Sequence, residues 1–231
     1  MTVAAVREDK TSVRVTVSPD NSPEEARGDR GETFLLSPGE WKRLNRSLGY
    51  DPAAGMVLSP GTPLDEALYD ALAAAAERSG ALWTAARMLS ASDRSAAGLG
   101  RALREKGFSP EAAEHAVLVL GKKGWLDEDA ACRRYAEAVL RTKRYGRRRI
   151  LDALLAKGYG REEARSAVDA LPDGEVADAL RRQVVRRFPD LASPDSSMDR
   201  GEREKALASL LRLGFSPDEI RSVLRRMRED G

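Results

Sequence analysis

Between residues 133 and 149 the chain carries eight basic residues, Arg133, Arg134, Arg141, Lys143, Arg144, Arg147, Arg148 and Arg149, against one acid, Glu137. Guanidinium groups are planar forks of donors that match carboxylate or phosphate two bonds at a time, so such a cluster is equipped for anion recognition. The stretch RTKRYGRRRILDALLAKGYG turns at Tyr145 and Gly146 and runs into a helix that opens with Arg147, Arg148 and Arg149. A helix N-terminus is the positive pole of the backbone dipole, so cations there cost about 0.3–1 kcal/mol each at low salt. Three explanations stand: a tolerated penalty, pairing with acids elsewhere in the fold, or an anion held by the arginines and the unbonded N–H groups of the first turn. The concentration of charge at one loop favours an anionic partner over a merely solvated face. A smaller cluster, Arg181, Arg182, Arg186 and Arg187, raises the same question with less force. Arg225, Arg226 and Arg228 lie toward a helix C-terminus, where cations are favourable and need no partner.

The other chemistry-bearing residues give no catalytic constellation. The lone His115 falls off the apolar stripe of its helix and reads as a solvated histidine. The run GKKG at 121–124 lacks the spacing and the Ser or Thr of a phosphate-binding loop and reads as a helix end. Asp127, Glu128 and Asp129 stand where a helix starts, so capping explains them better than a metal. The single cysteine, Cys132, excludes an intramolecular disulfide and a multi-cysteine zinc site, and reads as a packed or surface thiol. No enzyme, cofactor or metal site is predicted. The N-terminus lacks the apolar core of a signal peptide, and no stretch approaches the roughly 18 apolar residues of a membrane span. A soluble, cytoplasmic protein is expected, acting as a monomer.

The elements that must position these residues are mostly helical. Charged residues make up 33% of the 231 and aromatics 5%, a composition that favours Ala/Leu/Arg/Glu helices with thin apolar stripes. Formal net charge is only +2, so any nucleic-acid contact must come from local clustering. Residues 1–60 differ: TSVRVTV alternates with period two, and ETFLLS and GMVLS are short apolar runs bounded by turn formers, predicting three small strands. The polar stretch SPDNSPEEARGDRG between the first two predicts a mobile loop, and Ser37 with Pro38 predicts a helix through Ser47. Beyond Pro63 the pattern is helical, with Gly80 expected to interrupt an Ala-rich helix.

An internal repeat organises the remainder. LREKGFSPEAAEHAVLVL, LLAKGYGREEARSAVDAL and LLRLGFSPDEIRSVLRRM align on Gly107, Gly158 and Gly214, 51 and 56 residues apart, each followed by Phe108, Tyr159 or Phe215. Apolar residues recur at three- and four-residue spacings on both sides, describing two amphipathic helices that meet at a glycine of positive φ. Ser109 and Ser216 cap the second helix with Pro110 and Pro217 following, and Ser216 with Glu219 is a capping box. The middle repeat has Gly160 and Arg161 instead, so its corner should be the least firmly capped. A further helix before each corner makes three tandem three-helix units, expected to stack as an elongated array. The predicted divisions are 1–60, a small β-containing region; 61–121, a leading helix and the first repeat; 122–172, the second; and 173–231, the third.

The run from Gly124 to Leu171 resembles the RecX family, bacterial regulators of the RecA recombinase. The resemblance is carried by Gly124, Trp125, Leu126, Asp127 and Glu128, then Gly146, Arg149, Ile150, Leu154, Lys157 and Gly158, with Arg94, Ser95 and Leu99 in the first repeat. Gly98 and Gly100 depart from the family pattern and should weaken their helix by up to about 1 kcal/mol each. The resemblance implies a non-enzymatic protein of three-helix repeats that lies in the groove of a RecA filament on single-stranded DNA. It would restrain ATP hydrolysis, strand exchange and coprotease activity. On that reading Arg141, Lys143, Arg144, Arg147, Arg148, Arg149 and Lys157 face the filament, meeting acids of RecA or DNA phosphates. A rival reading takes the corners as helix-turn-helix elements of an independent DNA-binding protein. A third is a helical adaptor with no nucleic-acid role.

Overall fold

The computed structural model describes residues 1–18, 31–49, 58–193 and 198–229. Strands β1 (Thr2–Glu8), β2 (Val13–Ser18) and β3 (Glu32–Leu36) form an antiparallel sheet in chain order. The alternation of Val13, Val15 and Val17 buries all three, paired with Leu36, Phe34 and Glu32 of β3. Strand β1 has no counterpart in the sequence prediction. Its register shifts between Val3 and Ala5, and that bulge breaks the period-two signal that would have revealed it. The turn into β2 is closed by Asp9, whose carboxylate accepts from the backbone N–H groups of Thr11 and Ser12 at 2.7 and 2.6 Å. These bonds and the two hydroxyls lower its pKa to about 2. The polar stretch at 18–31 and the run at 55–59 lie largely outside the described residues; Leu58 and Ser59, which are described, belong to no strand.

Helix α1 (Pro38–Ser47) begins as predicted, with Ser37 Oγ accepting from Glu40 N at 3.3 Å. The Ala-rich segment forms one uninterrupted helix, α2 (Glu66–Ala91), so the expected break at Gly80 does not occur. The glycine serves packing: a Cβ there would stand 3.4 Å from the ring of Phe108, which rests on the helix. Leu72 and Ala75 of α2 belong to the sheet's core with Trp41 and Leu44, while Ala81 and Ala85 face the first repeat.

The repeats are helices α3 (Ala96–Glu105) and α4 (Pro110–Lys122), joined by the end of α2; α5 (Glu128–Lys143), α6 (Arg147–Ala156) and α7 (Arg161–Asp169); and α8 (Asp173–Arg187), the single-turn α9 (Pro189–Ala192), α10 (Arg200–Arg212) and α11 (Pro217–Glu229). The protein is thus mainly α, with tandem three-helix repeats that follow a small N-terminal sheet in the chain. Gly107, Gly158 and Gly214 adopt φ of 91°, 87° and 91°. In each corner the following aromatic donates its N–H to a carbonyl five residues back: Phe108 to Leu103, Tyr159 to Leu154, and Phe215 to Leu210. The predicted stripe is the core: Leu99, Ile150 and Ala206, and Leu103, Leu154 and Leu210, are all buried. Ser216 and Glu219 form the capping box, and Gly160 makes no side-chain cap, as expected. The first corner carries an unpredicted brace. Glu77 of α2 accepts from both the N–H (2.7 Å) and the hydroxyl (2.8 Å) of Ser109, supplying from another helix what the missing third-position acid would supply locally.

Two compact units emerge, residues 1–92 with 99–126, and residues 93–98 with 127–231. In the second unit one continuous apolar core runs from Ala131 to Leu224, so its two repeats share an interior.

Candidate anion-binding surface

The basic loop joins α5 to α6 and is held by the third repeat. Arg144 ends α5 in the left-handed region at φ 53°, a conformation costing a non-glycine residue about 1–2 kcal/mol. Gln183 of α8, itself buried, holds that bend by donating from Nε2 to the carbonyls of Lys143 (3.3 Å) and Arg144 (3.1 Å). Gly146 then lies directly against Gly214. A Cβ on Gly146 would fall 2.3 Å from the carbonyl carbon of Gly214, and one on Gly214 would fall 2.4 Å from Arg149 N. Only two glycines allow the backbones to touch.

That contact satisfies the start of α6. Gly146 N donates to Leu213 O at 2.8 Å and Arg148 N to Gly214 O at 3.2 Å. The positive pole of α6 therefore rests on the carbonyl-rich end of α10, and two of the N–H groups expected to cradle an anion, those of Gly146 and Arg148, are already occupied. The three arginines meet three different fates. Arg147 bonds to Glu219 Oε1 (2.8 Å), Leu171 O (2.7 Å) and Asp173 Oδ1 (2.7 Å), fastening the α7–α8 link and α11 to α6. Arg149 stacks on Tyr145, 4.4 Å from the ring centroid, and donates to Arg212 O at 3.1 Å. Arg148 points to solvent and its side chain makes no hydrogen bond or ion pair among the described residues.

The remaining predicted cations divide likewise. Arg141 and Lys143 are exposed, with side chains bonded to no acid among the described residues. Arg144 is half-buried, with its Nε lacking a hydrogen-bond partner among the described residues. Lys157 is exposed, with Nζ 4.9 Å from the Tyr135 ring centroid, and its carbonyl accepts from Ser95 Oγ at 2.8 Å. That serine also caps α3, accepting from Gly98 N at 3.0 Å. Gly98 is thus placed by close approach, since a Cβ would stand 3.1 Å from Lys157 O, and is not simply a weak point in its helix. Arg181, Arg182, Arg186 and Arg187 are exposed along α8. Beside Arg148 opens a cleft of about 690 Å³ whose lining includes Tyr145, Arg149, Asp152, Leu211 and Arg212. Leu211 and Arg212 were not foreseen. They follow Arg148 by more than sixty residues, and no local pattern links them.

Elsewhere the chemistry is structural. Asp127 caps α5, accepting from Ala130 N at 2.9 Å, and Glu128 accepts from Ala96 N. Cys132 is buried in the core, and desolvation pushes its thiol up to about 11, so it is a packed, unreactive thiol. His115 is not solvated, contrary to the sequence prediction. Its Nε2 lies 2.9 Å from Oε1 of buried Glu40, which also accepts from Arg78 at 2.6 Å, and Arg43 reaches Nδ1 at 3.2 Å. Burial lowers its pKa first, with Arg43 and Arg78 adding to the effect against Glu40. A neutral ring donating from Nε2 and accepting at Nδ1 fits all three neighbours. No cluster of three or more metal-ligating side chains, and no helix long and apolar enough to cross a membrane, occurs among the described residues.

Tandem three-helix units closed by Gly-aromatic corners, with a basic joint inside the second of them, define a helical-repeat protein. Residues 81–118 match the family model described as RecX, first three-helix domain. The regulatory protein RecX of Xanthomonas campestris pv. campestris is 33% identical over 135 residues, covering 57% of this chain and 78% of that protein. The RecX of Stenotrophomonas maltophilia is 32% identical over 130 residues, 55% and 74% of the two chains. The chain belongs to the RecX family of regulatory proteins. Two solved RecX structures share the fold. One aligns over 100% of this chain and 99% of its own at TM-score 0.69 and 18% identity; the other, from Lactobacillus salivarius, covers 65% and 96% at TM-score 0.55 and 19% identity.

Proposed function

We propose that this protein regulates a RecA recombinase by lying in the groove of the filament that RecA forms on single-stranded DNA. There it restrains ATP hydrolysis, strand exchange and coprotease activity, acting through binding and not through catalysis. The observation that carries the reading, beside family membership, is the set of exposed cations at the α5–α6 joint, Arg141, Lys143 and Arg148, which no acid of the described chain neutralises. Unpaired guanidinium and ammonium groups on a rigid joint are a standing attraction for a nucleoprotein surface. Arg147 and Arg149 serve the same site differently, by fixing the joint that presents the others.

The test is ATP hydrolysis by the cognate RecA on single-stranded DNA, titrated with the wild type and with the Arg141→Glu/Lys143→Glu/Arg148→Glu variant. These three positions avoid the struts that hold the fold. Suppression by the wild type, needing at least about tenfold more of the variant, is expected from three surface charges of roughly 0.5–1 kcal/mol each. Undiminished hydrolysis at every ratio of wild type overturns the proposal. Tight binding to bare DNA, with a log-log salt slope of about −0.7 per phosphate contacted, would in that case identify an independent DNA-binding protein.

A further inference from the structure

The cleft between α6 and α10 combines features that a phosphate site would not need. Its volume, about 690 Å³, accommodates a side chain together with its backbone. Arg148 and Arg212 flank it with guanidinium groups that bond to nothing among the described residues, and Arg149, fixed on Tyr145, supplies a third positive charge. Leu211 lies among these charges with 44% of its surface exposed. Asp152 adds an exposed carboxylate to the wall. Two of the backbone N–H groups at the start of α6, those of Gly146 and Arg148, are bonded to the Leu213 and Gly214 carbonyls, so they form no nest for a phosphate.

Each feature discriminates between ligands. An exposed leucine gains from an apolar side chain and gains nothing from a phosphodiester. The carboxylate of Asp152 repels a phosphate backbone, whereas it can accept from a peptide N–H or a basic side chain. Guanidinium forks without a backbone nest suit carboxylates, bidentate and side by side. We infer that this cleft is a protein-recognition site for an acidic peptide segment bearing an apolar residue, with Arg148 and Arg212 on the carboxylates and Leu211 against the apolar side chain. The inference rests on the filament reading and deepens it: this face contacts the recombinase and not the DNA.

The experiment measures binding of the full chain, as wild type, Leu211→Ser and Arg212→Gln, to three probes by anisotropy. The probes are the cognate RecA filament on labelled oligothymidylate, bare labelled oligothymidylate, and a short labelled peptide of aspartate and glutamate around one leucine. Each substitution is expected to weaken filament and peptide binding about tenfold, equal to about 1.4 kcal/mol, and to leave bare oligothymidylate within about twofold. Replacing the peptide's leucine by serine should remove the sensitivity to Leu211→Ser. The inference is overturned if Leu211→Ser is silent toward the filament while Arg212→Gln weakens filament and bare oligothymidylate in parallel; the cleft then holds phosphate, and the filament reading stands. If the wild type fails to bind the filament, that reading falls by itself. The peptide arm then decides the cleft: discrimination of leucine from serine through Leu211 sustains it, and indifference overturns it.

Discussion

Replacing Gly146 by alanine tests the joint on which the basic surface depends. The glycine's φ is −75°, so the substitution imposes no backbone strain of its own. The cost comes entirely from the neighbour: the added methyl would fall 2.3 Å from both the carbonyl carbon and oxygen of Gly214 and 2.4 Å from Phe215 N. These are backbone atoms of a corner locked by its own bonds, so α6 must move away from α10. Overpacking of this kind costs about 1–3 kcal/mol. The bonds Gly146 N–Leu213 O and Arg148 N–Gly214 O stretch or break, at about 1 kcal/mol each. A total of about 3–5 kcal/mol is a large fraction of the 5–15 kcal/mol typical of a domain, and for a unit of this size it lowers Tm by roughly 10–20 °C. Gly121→Ala is the control. It sits on an exposed turn of α4 with nothing within 4 Å of its Cβ, and should stabilise by about 0.4–1 kcal/mol. Thermal unfolding by circular dichroism and by calorimetry reads both. A Gly146→Ala protein melting within about 2 °C of wild type would refute the close backbone contact, and with it the account of why the N–H groups of Gly146 and Arg148 are not free donors.

Other outcomes follow from the same contacts. Arg147→Ala should cost about 2–3 kcal/mol in urea unfolding, because it removes the partner of the Leu171 carbonyl and of Oε1 of half-buried Glu219, while Arg148→Ala should stay within about 0.5 kcal/mol. Equal effects would mean that the two arginines are not divided between structure and surface. His115 should titrate below the ordinary 6.5 in an NMR pH series. Since its folded pKa is lowered, the unfolded chain binds the proton first, so its contribution to stability is complete above 6.5 and is lost as pH falls from there through the folded value. A His115→Gln variant should lack that loss; an unchanged pH profile would contradict the neutral, Nε2-donating ring. Cys132, buried with a thiol at about 11, should resist a disulfide reagent at pH 8 until the second unit unfolds. Rapid labelling of the native protein would contradict its packing.

Much of the fold could be read locally because its signals are local. Glycine, aromatic and capping serine within four residues specify a corner, and apolar spacings of three and four specify which faces are buried. Three copies of one pattern then predict three copies of one unit. The failures are also physical. Strand β1 escaped because a bulge cancels its alternation, and the break expected at Gly80 was a contact with Phe108 seen only once the helices pack. His115 looked solvated because Glu40, its hydrogen-bond partner, lies in a helix far upstream.

The arginines that open α6 divide the two sources of information most clearly. Composition and spacing alone determined that residues 133–149 concentrate positive charge at one helical joint, and that the joint belongs to a repeat. Which arginine does what was decided in three dimensions. Glu219, Asp173 and the Leu171 carbonyl converge on Arg147, Tyr145 and Arg212 fix Arg149, and Arg148 alone of the three is left to solvent. Charge density is a property of the chain, but its neutralisation depends on partners brought in from distant segments. Coulombic and hydrogen-bond energies act over a few ångströms of space and are indifferent to separation along the sequence.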